Sequence, residues 1–158
     1  MDFPKRKPNR LIGYDYSTPG AYFITICTID RKNYFWSQAC VDVQSLQDIV
    51  LNSCGEIVKS AIQNISVKYP NVSVDHYVIM PDHIHLLLQI HGGEQSNASI
   101  KQVIQQMKGF VTKQVGKPFW QKLYHDHIIR GQEDYDQVWN YIELNPIRSK
   151  DNNLYPIF

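Results

Sequence analysis

Four segments of the chain carry the pattern of apolar and polar positions that is typical of β-strands. Residues 22–29 are rich in β-branched and aromatic side chains and follow a Pro-Gly turn. Residues 72–80 and 83–90 alternate on either side of a short connection, and residues 124–130 form the fourth candidate. The pattern therefore predicts four strands, the middle two joined as a hairpin.

The alternation also assigns the faces of the two middle strands, because successive side chains of a strand point to opposite sides. In the first, a single face is predicted to carry four apolar residues, interrupted only by His76: Val72, Val74, Val78 and Met80. In the second, the core face carries Ile84, Leu86, Leu88 and Ile90. Its other face carries His83, His85, Leu87 and Gln89.

Three further segments have apolar residues at helical spacing. The first runs over 46–65, with a pair of residues placed like a capping box at its start. The second covers 100–111, and the third runs from about 133 to 144, where Pro146 is expected to end it. In the third helix the apolar stripe is predicted to be Tyr135, Val138, Trp139 and Ile142.

The predicted order of elements is β-α-β-β-α-β-α. Its first six elements form the split β-α-β, ferredoxin-like arrangement, an α+β fold with a four-stranded antiparallel sheet and two helices on one face. The third, C-terminal helix is the only element left to cover the other face of the sheet. Because this topology serves many functions, it assigns none by itself.

Length and composition place the chain among globular proteins of one domain. It has 158 residues, of which 43% are hydrophobic and 20% charged, and no apolar stretch long enough to cross a membrane. We expect one domain over 1–158 with a basic tail at 1–10, and no membrane partner. The 3 cysteines are too far apart for a thiolate metal site or a disulfide framework, so a cytoplasmic location is expected.

The net charge of +1 conceals two basic segments, 1–10 and 98–130, on a chain that is otherwise acidic. Such segments fit a polyanion lying along one face, but also an ordinary solvated helix with a basic tail. The candidate contacts to a nucleic-acid backbone are Lys5, Arg6, Lys7 and Arg10 in the tail, and Lys101 and Lys108 on the second helix.

The His83-Ile84-His85 run is the sharpest chemical feature. Two histidines two residues apart on a strand point the same way and can share one metal ion. The alternative is that one of them is a buried hydrogen-bonding residue. A second pair, His125 and His127, could supply additional ligands, although an ordinary structural role is favoured there.

Tyr141 lies at the margin of the apolar stripe of the third helix, and Asn145 follows one turn later on the same face. A tyrosine in that position usually has a buried ring and a hydroxyl group in water. The functional alternative is that the phenol and the amide face the histidine pair across the sheet.

Four stretches of the chain, in the same order, resemble a known family. They are GYDY with GAYFIT (13–16, 20–25), HYVIMPDHIHLL (76–87), FWQ with HDHIIR (119–121, 125–130) and YIELNP (141–146). Together they are similar to the single-tyrosine HUH transposases, and most similar to the REP-associated tyrosine transposases. The resemblance covers about residues 10–150.

The resemblance implies the roles of four residues. His83 and His85 would hold a divalent metal ion, Tyr141 would be the nucleophile, and Asn145 would complete the protein ligands. His127 matches a histidine that recurs in the family without a role that we can assign. The implied activity is that of a transposase that cuts and rejoins DNA through a 5′-phosphotyrosine intermediate.

The implied substrate is single-stranded DNA, folded into an imperfect hairpin and cut near its foot. Imidazole ligands favour manganese or zinc over magnesium, whereas the resemblance implies magnesium or manganese; we expect Mg or Mn, with manganese satisfying both arguments. The REP-associated group also implies a monomer, and a homodimer is the alternative.

Two other classes of function remain open from the sequence. A non-catalytic RNA-binding module shares the predicted order of elements, although the aromatic residues that such modules carry on the third strand are replaced here by His83 and His85. A zinc-dependent hydrolase could use the histidines but would not need Tyr141.

Overall fold

The computed structural model describes residues 13–92 and 98–148, without the side chains of 147 and 148. Four antiparallel strands form one sheet in the order β2-β3-β1-β4. They are β1 (Gly20–Cys27), β2 (Val72–Ile79), β3 (His83–Ile90) and β4 (His125–Ile128). The edge strands β2 and β4 thus flank a central pair, β3 and β1, and the predicted four-stranded antiparallel sheet is confirmed.

The helices lie on both sides of this sheet. They are α1 (Ser53–Gln63), α2 (Ile65–Lys68), α3 (Ile100–Val115) and α4 (Gln132–Arg148). The larger core joins α1, α2 and α3 to the face of β3 that carries Ile84, Leu86, Leu88 and Ile90, as predicted. The smaller core joins α4 to the opposite face. No helix among the described residues is long and apolar enough to span a bilayer.

The predicted continuous helix over 46–65 is wrong, because the segment divides into three pieces. A single 3₁₀ turn (Leu46–Asp48) is followed by extended chain, and α1 begins only after Asn52, whose side chain accepts a hydrogen bond from Gly55 N at 2.9 Å. The intervening backbone pairs with residues 35–37 through Ser37 N and Asn52 N. These non-local hydrogen bonds outweigh the helical spacing of the side chains.

The face predicted for β2 is wrong beyond its middle. A β-bulge between Val74 and His76 places an extra residue, Asp75, opposite the β3 strand. Because a bulge reverses the alternation, Val72 and Val74 pack toward α1 and α3, whereas the residues Val78 and Met80 join the core beneath α4. The bulge therefore delivers His76 to the α4 side of the sheet.

Two glycines in helices offer a matched test of the packing. A Cβ atom on Gly55 would lie 2.4 Å from the backbone oxygen of Phe35, whereas a Cβ on Gly109 in α3 meets nothing within 4 Å. We expect Gly55→Ala to lower the free energy of unfolding by about 1–3 kcal/mol. Gly109→Ala should raise it by about 0.5–1 kcal/mol, because alanine is the better helix former. Urea unfolding measures both, and equal effects of the two substitutions would contradict this packing.

Candidate metal and nucleophile site

The two histidines of β3 lie on the face of the sheet that α4 covers. His83 is 1% exposed and His85 is fully buried, and their ring centroids are 4.7 Å apart. Ile84, between them, points into the core on the opposite side. The alternation of β3 therefore brings the two imidazoles together as predicted. Ile84 anchors the strand in the core on the opposite face.

One nitrogen of each imidazole is engaged by a neighbouring side chain. His83 Nδ1 lies 2.7 Å from Asp82 Oδ1, and His85 Nδ1 lies 2.8 Å from Thr25 Oγ1. A carboxylate can only accept, so Nδ1 of His83 is the donor in its contact, and Nε2 is the nitrogen left for a ligand. The Nε2 atoms of both rings are buried and have no hydrogen-bond partner among the described residues.

Electrostatics support this arrangement. Burial favours the neutral acid of Asp82, but hydrogen bonds from His83 and from Arg31, whose Nε lies 2.9 Å from Asp82 Oδ2, hold the pKa of Asp82 below its ordinary value. Burial, followed by the charges of His83 and Arg31, holds the pKa of His85 well below that of a free histidine. His85 is therefore a neutral imidazole at pH 7, which is the form that binds metal ions.

Tyr141 packs against His85, one member of the histidine pair. Its ring centroid is 5.4 Å from that of His85 at an edge-to-face angle of 73°, and Phe23 packs against both rings. Tyr141 is 4% exposed, so its predicted place at the margin of the stripe is wrong. The buried stripe of α4 is Val138, Tyr141, Ile142 and Asn145, whereas Trp139 faces outward and stacks on His76.

The C-terminal end of α4 also differs from the prediction. The helix begins at Gln132 and continues through Pro146 to Arg148. Proline removes one backbone hydrogen bond, but its fixed φ is compatible with a helix, so two further residues continue it. Asn145 consequently lies within α4 rather than at its end. Its side chain is 2% exposed, and its buried Oδ1 has no hydrogen-bond partner among the described residues.

The donor set fits a divalent metal ion. Three of the buried polar atoms without a partner are His83 Nε2, His85 Nε2 and Asn145 Oδ1, which are the atoms that the sequence nominated as ligands. Leaving such atoms unsatisfied is costly unless a ligand engages them. Within residues 13–92 and 98–148, no group of three His, Cys, Asp or Glu side chains forms an alternative metal site.

The second histidine pair does not join this site. His127 Nε2 lies 2.9 and 2.8 Å from the two carboxylate oxygens of Asp134 in α4. His125 lies on β4 opposite Thr25 of β1. Asp134 is thus the hydrogen-bond partner of His127, which agrees with the ordinary structural role that the sequence favoured.

The two lysines predicted on the second helix lie away from the histidines. Lys101 and Lys108 are on α3, which packs on the opposite face of the sheet, and Lys108 Nζ donates to the backbone oxygens of Gln121 and Lys122 at 2.8 and 3.3 Å. The tail residues lie outside the described part of the chain: Lys5, Arg6, Lys7 and Arg10.

Sequence reasoning missed three residues that support the histidines. Asp82 precedes His83 directly, so its position beside the pair was a usable signal. Thr25 and Phe23 lie on β1, and only the register that sets Thr25 opposite His85 brings them to the site. No local pattern in β1 marks them.

Comparisons with known proteins define the class. A ferredoxin-like sheet with paired imidazoles beneath a helix-borne tyrosine is the arrangement expected of a single-tyrosine transposase. The family model described as "Transposase IS200 like" matches residues 21–145, a range that includes the histidine pair, Tyr141 and Asn145. The chain therefore belongs to the IS200-like transposase family, whose members are DNA transposases.

Individual relatives agree with this membership. An uncharacterised protein of Haemophilus influenzae is 31% identical over 95% of this chain and 93% of its own length. A REP-associated tyrosine transposase of Escherichia coli K12 is 24% identical over 68% of this chain and 64% of its own length. A solved structure of a REP-associated tyrosine transposase bound to a REP hairpin is similar in fold, with a TM-score of 0.64, 21% identity, and coverage of 94% of this chain and 74% of that one.

Proposed function

We propose that the protein is a metal-dependent endonuclease and strand transferase acting on single-stranded DNA. Two observations carry the proposal: the ring of Tyr141 packs against that of His85, and three buried candidate ligand atoms have no hydrogen-bond partner among the described residues. The hydroxyl of Tyr141 gives up its proton to solvent, and its oxygen attacks a phosphodiester and forms a bond to phosphorus. The bond from phosphorus to the 3′ oxygen breaks, and that oxygen leaves as a hydroxyl after gaining a proton.

The choice of a tyrosine explains how strands are rejoined. A tyrosine ester to the 5′ phosphate keeps the energy of the phosphodiester, which hydrolysis would lose. Phenol, with a pKa of about 10, is a better leaving group than an alkyl alcohol, so attack by the 3′ hydroxyl can release the tyrosine and rejoin the strand. The edge-to-face contacts of the Tyr141 ring with Phe23 and His85 restrict the orientation of that ring.

The proposed metal ligands are His83, His85 and Asn145. A divalent ion held there supplies positive charge for the phosphate as negative charge develops on it. Two imidazoles and one amide oxygen suit manganese better than magnesium, and magnesium remains the alternative. Asp82 and Thr25 each hold the Nδ1 atom of one ring, which leaves the two Nε2 atoms as the candidate ligand atoms.

We propose a hairpin of single-stranded DNA as the substrate. The REP-associated relative of similar fold is bound to a REP hairpin. The basic tail residues and Lys101 would contact phosphates, and Lys108 would do so only after releasing its two carbonyl partners. We propose a monomer as the acting species, because Tyr141 packs against His85 of its own chain, and a homodimer is the alternative.

A covalent-capture experiment tests the proposal. A hairpin oligonucleotide with a single-stranded foot, labelled on the 3′ side, is incubated with the protein and Mn²⁺, then resolved on a denaturing gel. We expect a labelled protein band that needs Mn²⁺ or Mg²⁺ and disappears with a chelator. Binding without any cleavage would favour the RNA-binding type of module, and cleavage with no protein-bound product would favour a hydrolase; either outcome contradicts the proposal.

Asp82→Asn should weaken metal binding without affecting the fold. The carboxylate of Asp82 fixes the tautomer of His83, and loss of such a partner typically lowers metal affinity by about 10–100-fold. Isothermal titration with Mn²⁺ measures the affinity. The matched control is Asp30→Asn, because Asp30 also accepts hydrogen bonds but lies at the surface with Lys32 and Tyr34. A variant of Asp82 with the affinity of the wild type would show that this carboxylate does not orient His83.

A further inference from the structure

The role of His127 is still unexplained by the proposed chemistry. It lies on β4 opposite Phe23, the residue that packs against both His85 and Tyr141. Its Nε2 is within hydrogen-bond distance of both carboxylate oxygens of Asp134, in the first turn of α4. His127 therefore connects an edge strand of the sheet directly to the start of the helix that carries Tyr141.

We propose that His127 is a positioning residue, which through Asp134 fixes the start of α4 and so places Tyr141 over the histidine pair. This inference rests on the proposed function, because it assigns His127 a part in the attack by Tyr141. In this proposal His127 acts through α4, by way of its contact with Asp134.

The connection between β4 and α4 makes such an anchor effective. The link is short, since β4 ends at Ile128 and α4 begins at Gln132, and it contains Gly131 with a φ of 97°. A left-handed φ at this glycine turns the chain back over the sheet. Asp134 Oδ2 also accepts a hydrogen bond from Arg130 N at 2.8 Å, so one carboxylate holds both the strand and the turn.

The geometry of a helix explains why an anchor at Asp134 controls Tyr141. Seven residues are about two turns, so Asp134 and Tyr141 lie on the same face of α4, about 10 Å apart along its axis. A tilt of about 6° about Asp134 would then move Tyr141 by about 1 Å. A misplacement of that size can lower the rate of a positioned reaction by about 10²-fold.

A second contact holds the next residue of α4 from the opposite edge of the sheet. Tyr135 OH donates to Asp75 Oδ2 at 2.7 Å, and Asp75 is the extra residue of the β2 bulge. Asp75 also accepts a hydrogen bond from Ser73 at 2.9 Å. Because Asp134 is bonded to β4 and Tyr135 is bonded to β2, both the tilt of α4 and its rotation about its own axis are restrained.

Two substitutions of His127 separate anchoring from other roles. His127→Ala removes the contact to Asp134, whereas His127→Gln retains an N–H donor near the position of Nε2. We expect the alanine variant to form the covalent product at least about tenfold more slowly in a single turnover, with an unchanged Kd for the hairpin. The glutamine variant should recover most of that rate. The control Asp30→Ala, which removes a surface carboxylate bonded to Lys32 and Tyr34, should react as the wild type does.

Tyr135→Phe provides a second variant that preserves the shape of the side chain. It should slow the reaction several-fold with an unchanged unfolding temperature, whereas Tyr34→Phe, which breaks a similar bond to Asp30 away from α4, should have no effect. An unchanged rate in both His127→Ala and Tyr135→Phe would overturn the proposal. So would a glutamine variant as slow as the alanine variant, or a parallel loss of rate, hairpin affinity and unfolding temperature.

Amide hydrogen exchange tests the anchor without catalysis. In the protein free of DNA, exchange at the amides of α4 should accelerate in His127→Ala and remain unchanged in Asp30→Ala. This measurement separates the two proposals. If the wild type forms no covalent product, the proposed function is wrong, but the exchange rates still show whether His127 holds α4 in place. Equal exchange in α4 for the wild type and His127→Ala would overturn the anchor alone.

Discussion

Tyr141→Phe is expected to abolish covalent capture of DNA, with a loss of at least about 10³-fold in the single-turnover rate. The substitution removes one oxygen, the only atom of this residue that can form the ester. The ring keeps its packing against His85 and Phe23, so the free energy of unfolding should change by no more than about 1 kcal/mol. Binding of the hairpin should persist, because the phenol is not a phosphate-binding group.

The matched control for this substitution is Tyr77→Phe. Tyr77 lies on β2, packed against the core on the other side of the sheet. Its variant should form the covalent product at the rate of the wild type. A Tyr141→Phe protein that still becomes attached to DNA would exclude Tyr141 as the nucleophile, whatever its effect on stability.

His85→Ala is expected to lower the affinity for Mn²⁺ by at least about 100-fold and to remove covalent capture with it. His85 is fully buried and supplies one of only two imidazole ligands in the proposed set. Titration calorimetry with Mn²⁺ measures the affinity directly, and the gel assay measures the activity of the same preparation.

Because the substitution also leaves a cavity, its effect on stability needs a separate control. Leu87→Ala removes another fully buried side chain from the same face of β3. It should lower the free energy of unfolding by about 2–5 kcal/mol while leaving the affinity for Mn²⁺ unchanged. If the two variants lose metal affinity to the same extent, the effect of His85→Ala arises from packing, and the assignment of His85 as a ligand is wrong.

The fold was largely predictable because its elements follow local rules. The alternation of β3 was complete in the sequence, and it set the histidines and Ile84 on opposite faces as the structure has them. The errors occurred where a distant contact decided the local conformation. The bulge at Asp75 reversed the face of β2, and pairing with residues 35–37 held the chain before α1 in an extended form.

The site was predictable in its outline and less so in its support. His83, His85 and Tyr141 stood out by residue type and spacing, and the structure brings them together. The burial of Tyr141 could not be predicted from the helical pattern, since Trp139 is the more apolar candidate for the stripe. Trp139 instead faces outward, where its ring stacks on that of His76 at a centroid distance of 4.3 Å. The β2 bulge places His76 on that side of the sheet. The contacts of Thr25 and His127 depend on strand register and helix placement, which no single segment encodes.

Mass spectrometry of the wild-type protein after reaction with the hairpin tests the central claim most directly. The covalent product is digested with a protease and a nuclease, and the modified peptide is sequenced. The account predicts one nucleotide adduct, joined through a 5′ phosphate to Tyr141. An adduct on another residue, or complete cleavage of the DNA with no nucleotide on the protein, would contradict it.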